Sequence, residues 1–340
     1  MIKKSEKIIF LLVVIGAIFF ARAFYPGISG VPSLASADQS SQTAIAQTTA
    51  APPMLVLPQT AISAIAQPGT APANTSVGTA SGQAAADVNS VFSKVNDAPP
   101  PVFSNEAYMV ADLTTGGVLS GSNVASRWPT ASLTKLLTAT LIFDQLSTST
   151  RITITPQMFA ADPNEHTLVT GGTYTVEDLL HVMLMPSSNV AAQAMADFIG
   201  QTQFMAEMNQ RAQAWGMTDT YFSDPSGISA ANESTANDLL ILAQHIYNNY
   251  PGILTLTNTP VTTITELNSG KKITVRSINA FVGEPNFVGG KTGNTDQAGG
   301  NLLSIFNDNG HQVLITVLGA PTLPFKDTSA LYAWFRANYR

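Results

Sequence analysis

Residues 26–100 set the first limit on what this chain can fold into. They consist mostly of Ala, Ser, Thr, Gln, Pro and Gly, with very few charges and little periodicity. Such a stretch lacks the apolar surface to offset the entropy of ordering it. It is expected to be a disordered linker or tether. The folded part must then come from residues 101–340, enough for one sizeable domain.

Ahead of the linker, residues 1–25 read as a signal peptide or signal-anchor. Lys3, Lys4 and Lys7 precede an unbroken apolar run over residues 8–21. That is a charged n-region followed by an h-region, and the lysines favour a cytoplasmic amino end. The run is short for a spanning helix, which needs about 20 apolar residues. Ala-x-Ala patterns at 21–23 and 35–37 look like two cleavage sites. Anchoring and cleavage both stay open; either implies export and an extracytoplasmic location.

Composition narrows the chemistry. Apolar residues make up 45% and charged residues 11%, so a large core is available. The formal net charge of −6 argues against a nucleic-acid surface, because no basic stripe could neutralise phosphates. There is no cysteine, which excludes disulfides, thiolate metal sites and a cysteine nucleophile. The four histidines, at 166, 181, 245 and 311, have no metal-ligand spacing. No cofactor is expected.

The pattern of residues 101–340 predicts an α+β domain. "EAYMVADLTTGGVLSGSN" reads as two strands around a Thr-Thr-Gly-Gly turn. A helix starts near Ala131. Further helices follow in "TVEDLLHVMLM", "VAAQAMADFIG", "QFMAEMNQRAQAWGM" and "TANDLLILAQHIYNNY", the last ending before Pro251. The stretches "VTTITEL", "KKITVRS", "NFVGGKTG", "GGNLLSIFND" and "HQVLITVLG" read as strands, and "DTSALYAWFRANY" as a closing helix. Strands at both ends and helices between predict a sheet that joins the terminal portions and packs on a helical cluster.

Three short motifs could carry chemistry. Ser132 and Lys135 sit three apart at the mouth of an apolar helix, so they share a face. A serine needs a base to become a nucleophile. A lysine can serve only if its pKa falls from about 10.4 towards neutrality, which burial among Leu133, Leu136 and Leu137 would favour. Read alone, the pair is also what a simple capped helix with an exposed lysine shows. Ser187 and Asn189 follow Pro186 at a break between two helices, where Ser and Asn are ordinary N-caps. Lys291, Thr292 and Gly293 lie on a predicted strand among Gly289 and Gly290. Those glycines permit close approach of another backbone or a ligand, although a lysine on an edge strand also serves simply to discourage aggregation.

Taken together and in this order, Ser132 with Lys135, then Ser187 with Asn189, then Lys291-Thr292-Gly293 form the set found in penicillin-binding proteins and class A β-lactamases. The chain resembles the D-alanyl-D-alanine carboxypeptidases, the low-molecular-weight penicillin-binding proteins. "PTASLTKLLTA", "GMTDTYFSDPSGIS", "STANDLLILAQHI" and "GGKTGNTDQAGGNLL" are similar to that family's segments in the same order, so the likeness covers the whole globular part. It implies a serine β-lactamase/transpeptidase-like fold: a five-stranded antiparallel sheet flanked by helices, with an α-helical cluster. It implies a peptidoglycan stem peptide ending in D-Ala-D-Ala as substrate, β-lactam antibiotics as covalent inhibitors, and residence in the bacterial cell envelope, held to the membrane by the amino-terminal segment. It also implies roles. Ser132 is the nucleophile, Lys135 the base, Ser187 the proton relay and Asn189 an orienting group. Lys291 and Thr292 meet the substrate carboxylate, and Lys291 helps keep Lys135 neutral. Gly293 lies between them and Asn294, whose backbone N–H is paired with that of Ser132 around the oxyanion.

The chain departs from the family pattern in places. Asn294 stands where His is frequent, and Val190 where Asp is common. No arginine stands near Pro324 to hold the terminal carboxylate; Lys326 is the nearest cation, and a point charge is a poorer carboxylate fork than a guanidinium. Two rivals follow. A β-lactamase would need a water-activating glutamate, and Glu165, followed by "HTLVT", does not stand in a Glu-x-x-x-Asn pattern. A non-enzymatic wall-binding homologue would fit a weakened carboxylate site. The motifs do not separate carboxypeptidase from endopeptidase action on cross-links.

Overall fold

A computed structural model describes residues 91–340. The calls for residues 1–25 and for most of the linker lie outside the described residues. Two strands, β1 (Ala107–Asp112) and β2 (Val118–Ser122), form the expected hairpin. Asp112 accepts from the backbone N–H groups of Thr114 (2.9 Å) and Thr115 (3.3 Å), which closes the turn.

Three small pairings follow along the chain. β3 (Trp128–Pro129) pairs with β6 (Glu233–Ser234), and β4 (Arg151–Thr153) with β5 (Thr173–Thr175). β7 (Val261–Thr265) pairs with β8 (Lys272–Arg276). The last three strands are long: β9 (Phe287–Thr295), β10 (Gly299–Asp308) and β11 (His311–Ala320). They join the first hairpin in one five-stranded sheet of order β2-β1-β11-β10-β9, antiparallel throughout. The sheet thus unites the two ends of the folded region, as the pattern predicts.

Every residue of β1 is buried, because the sheet is covered on both faces. Side chains alternate between faces along a strand. Ala107, Met109 and Ala111 therefore point into one apolar cluster, Tyr108 and Val110 into another. The first cluster lies against six helices: α1 (Thr134–Gln145), α2 (Val176–Leu184), α3 (Asn189–Ile199), α4 (Gln201–Ala214), α5 (Ala236–Asn249) and α6 (Pro251–Thr257). The second is covered by α7 (Phe325–Asn338). Thr175, Ser188 and Thr235 cap α2, α3 and α5 by accepting from the N–H of Asp178, Ala191 and Asp238.

Three differences from the sequence reading have physical causes. Pro251 ends one helix but also begins α6, since proline at N1 lacks only an N–H that would be unpaired anyway. β7 and β8 form a separate hairpin outside the main sheet; alternation reports a strand, not its partner. The ordered domain also starts before residue 101. Ser93 and Arg340 exchange backbone hydrogen bonds of 2.8 and 3.0 Å, and Phe92 packs edge-on against Phe335 at 4.9 Å. One aromatic anchor and the paired backbone hold residues 92–98 against α7, and average composition does not register a single ring.

Candidate active site

Ser132 lies in a 3-10 turn, Ala131–Leu133, that leads directly into α1. Ala131 adopts φ +47°, in the left-handed region that a β-carbon disfavours. The turn is clamped from two sides. A β-carbon on Gly227 would sit 1.8 Å from the Ala131 carbonyl oxygen, so only glycine lets that loop come so close. A β-carbon on Gly293 would meet the Thr130 carbonyl oxygen at 2.9 Å and the Ser132 nitrogen at 3.1 Å. The edge strand β9 therefore runs against the backbone of the serine. This is the close approach that the glycines around Lys291 predict.

Lys135 is completely buried, with Leu133, Leu136 and Leu137 buried alongside it. Its Nζ donates to Ser132 Oγ, Asn189 Oδ1 and the Ser226 carbonyl, each at 2.7 Å. Three acceptors match the three donors of an ammonium. Burial pushes its pKa down to about 7, against the opposing pull of Asp224 and Asp162. The exposed-lysine alternative is thereby excluded. Asn189, the first residue of α3, reaches Lys135, while its neighbour Ser188 performs the helix capping. The N-cap expected here exists, but it is the middle residue of the Ser-Ser-Asn triplet. Ser187 is left with φ +72°, a second strained non-glycine residue at the site.

Lys291 lies on the edge strand β9, yet it is only 1% exposed. It does not defend an edge against solvent. Its Nζ donates to Ser187 Oγ at 2.8 Å and to the Thr292 carbonyl at 2.9 Å. Burial drives its pKa well below the usual lysine range, and repulsion from Lys135 adds to that. Two buried lysine amines thus reach one constellation, one from α1 and one from β9.

A cavity of about 420 Å³ opens above these groups. Ser132, Ser187, Asn189, Thr292, Gly293 and Asn294 line it; Lys135 and Lys291 lie beneath the lining. All eight candidate residues are brought together. Lys326 is not: it is exposed, and the cavity wall near it is made by Leu323, Pro324 and Phe325. Lys326 therefore adds no charge to the cavity lining. No residue of the lining carries a charge.

The sequence reading gave no individual role to the loop that holds Lys135 from behind. The Asp224 carboxylate accepts from the N–H of Ser226 (2.8 Å), Gly227 (2.7 Å) and Ser229 (2.9 Å) and from Asn232 Nδ2 (2.5 Å). Burial raises the Asp224 carboxyl, but donors from Ser229, Ser226 and Asn232 outweigh it and hold it below its ordinary value. This folded loop presents the Ser226 carbonyl to Lys135. It also binds α1 through Thr138, which donates to the Pro225 carbonyl at 2.7 Å. An Asp-Pro-x-Gly sequence signals such a turn, but not the distant amine it serves.

The known proteins that this chain resembles belong to one family. The family model described as D-alanyl-D-alanine carboxypeptidase matches residues 94–322. A D-alanyl-D-alanine carboxypeptidase of Mycobacterium tuberculosis is 28% identical over 246 residues, covering 69% of this chain and 84% of that protein. A D-alanyl-D-alanine endopeptidase of Haemophilus influenzae is 33% identical over 234 residues, covering 67% and 77%. The chain spans 65% of a longer carboxypeptidase of Salmonella typhimurium, at 29% identity. Among solved structures, penicillin-binding protein D2 of Listeria monocytogenes in its ampicillin-bound form aligns with a TM-score of 0.60 at 30% identity. That alignment covers 69% of this chain and 98% of the other. The fold is that of the penicillin-binding D,D-peptidases, an α+β architecture around an antiparallel five-stranded sheet.

Proposed function

The chain belongs to the D-alanyl-D-alanine carboxypeptidase family of peptidases, and from that premise we propose that it is a serine-type D,D-carboxypeptidase. It removes the terminal D-alanine from peptidoglycan stem peptides through an acyl-enzyme on Ser132. The observation that carries this reading is the buried Lys135 amine, 2.7 Å from Ser132 Oγ, with a pKa near 7. Such a group is poised to accept a proton at the pH of use.

Ser132 Oγ attacks the carbonyl of the penultimate D-alanine, and its proton passes to Lys135. The oxyanion is met by the backbone N–H groups of Ser132 and Asn294, fixed in advance by the turn and by β9. As the tetrahedral intermediate collapses and its C–N bond breaks, Ser187, bonded to Lys291, relays the proton held by Lys135 to the nitrogen of the departing D-alanine. Thr292 binds the terminal carboxylate. An anion beside Lys291 favours its charged form and offsets the depression caused by burial. Substrate binding therefore places the positive charge on Lys291 and, by repulsion, helps hold Lys135 neutral. Water then hydrolyses the acyl-enzyme.

Endopeptidase action on cross-links is the second reading, favoured by the 33% identity to a relative so named. Both reactions share one acyl-enzyme. The deciding experiment compares D-alanine release from a pentapeptide with cleavage of a cross-linked dimer, using Ser132→Ala as control. Faster dimer cleavage would overturn the carboxypeptidase assignment. Absence of labelling by a fluorescent penicillin would leave a wall-binding homologue.

The location proposed is the bacterial cell envelope, outside the cytoplasmic membrane, with attachment through Lys3, Lys4, Lys7 and the apolar run over residues 8–21. Among the described residues no helix is long and apolar enough to cross a membrane. The full chain should pellet with membranes. A chain starting at Val91, which keeps Phe92 in the core, should be soluble and acylated by penicillin. A mature amino terminus at Phe24 or Asp38 would show a cleaved signal instead.

A further inference from the structure

Glu165 belongs to none of the three motifs, and its sequence context denies it the water-activating role of a β-lactamase glutamate. Its side chain nevertheless reaches the centre of the second motif. Ser188 Oγ donates to Glu165 Oε2, and the N–H of Thr167 donates to Glu165 Oε1 at 2.6 Å. Ser188 is 6% exposed, and its hydroxyl serves two partners at once. It gives its proton to Glu165 and accepts from the Ala191 N–H at 3.1 Å as the cap of α3. A hydroxyl has one proton and two lone pairs. The carboxylate, an acceptor only, fixes which way that proton points and leaves a lone pair for the cap.

The residues on either side of Ser188 need such a fixture. Ser187 is held at φ +72°, which persists only where the surroundings over-determine the backbone. Its Oγ must meet Lys291 at 2.8 Å. On the other side, Asn189 Oδ1 must meet Lys135 at 2.7 Å. The Ser188 N–H donates to the Val182 carbonyl at 3.0 Å, which ties the backbone to α2. Glu165 comes from a different segment, the loop between the 3-10 helix Pro156–Ala161 and β5. It secures the side chain of the same residue from that loop.

We propose that Glu165 is a positioning residue of the catalytic site: through Ser188 it holds the strained Ser187 and Asn189 in register with Lys291 and Lys135. The rate consequence rests on the acyl-enzyme reading above; the structural consequence does not.

Two measurements test it in the full chain. The first is the rate constant for acylation by a fluorescent penicillin at saturation. Glu165→Ala should lower it about tenfold, the low end of what misplacing a catalytic group costs, while the half-saturating penicillin concentration moves little. Glu165→Gln keeps an acceptor for Ser188 Oγ and should recover most of the rate. Adding Ser188→Ala to Glu165→Ala should cost no more than Ser188→Ala alone, the non-additivity of one shared contact. The second measurement is amide hydrogen exchange over residues 187–191. Glu165→Ala should speed it and Glu165→Gln should restore protection. If Glu165→Ala does not fold, Glu165→Asp, one methylene too short to reach Ser188, tests the same bond. Wild-type acylation and exchange in Glu165→Ala would overturn the proposal. So would equal losses in the Ala and Gln variants, since the bond would then not be the cause. A wild-type chain that penicillin does not label would sink the peptidase reading alone, and exchange would still judge Glu165.

Discussion

The two faces of the central sheet are built from different materials. The face under α7 is aromatic: Phe92, Tyr108, Phe287, Phe306, Phe335 and Tyr339 pack there, with Phe281 edge-on to Phe306 at 5.3 Å and Phe92 edge-on to Phe335 at 4.9 Å. Such pairs stabilise beyond the area they bury. The face under α1–α6 is largely aliphatic, and its border with β9 buries Lys135 and Lys291. Burying a charge is costly unless it is paired, and here the partners are hydroxyls, an amide and carbonyls. Both strained serine-site residues, Ala131 and Ser187, lie on this side. The other two non-glycine residues at positive φ among the described residues are Asn123 and Asn309, a type that tolerates it. One face therefore supplies stability, and the other carries the destabilised groups that chemistry needs.

The contrast can be broken by variants, and the largest effect belongs to the chemical face. Lys135→Arg keeps a cation but cannot shed its proton near neutral pH. It should lower single-turnover acylation by roughly a thousandfold, within the range for loss of a general base. Near wild-type acylation would reduce Lys135 to an electrostatic prop. On the other face, Phe335→Ala removes a completely buried ring and should cost about 3–5 kcal/mol in a denaturant melt. Below its melting point it should acylate with the same pH profile as the wild type. A shifted profile would mean that the two faces are coupled.

Smaller effects sharpen the boundary. Gly293→Ala puts a β-carbon 3.1 Å from the Ser132 nitrogen and should slow acylation roughly tenfold, because displacing a reacting group by about 1 Å can cost ~100-fold. An unchanged rate would show that β9 gives way without moving the serine. In the wild type, acylation should rise as pH passes through about 7, where Lys135 loses its proton, and level off above. Asp162 favours the protonated amine, so Asp162→Asn should move that limb to slightly lower pH. A limb that moves up would refute the sign. Lys326→Ala should leave kcat and KM unchanged, because Lys326 lies off the cavity; a raised KM would return it to the carboxylate site.

The sequence by itself determined the parts that depend on local spacing. Residues three apart on a helix had to share a face, so Ser132 and Lys135 could be paired from the text alone. Short apolar stretches and a turn signal marked β1, β9, β10 and β11, and helical spacing of apolar residues marked α2 and α5. The order of three motifs identified the family. Tertiary structure decided what spacing does not encode. It selected the Ser226 carbonyl, 91 residues along, as the third acceptor of Lys135, and Glu165 as the partner of Ser188. It left Lys326 out of the cavity lining, separated the β7–β8 hairpin from the sheet and brought Phe92 into the core. The physical reason is range. Backbone periodicity and capping act over a turn or two, whereas the pKa of Lys135 depends on everything packed around it, and those neighbours come from segments that only the folded chain brings together.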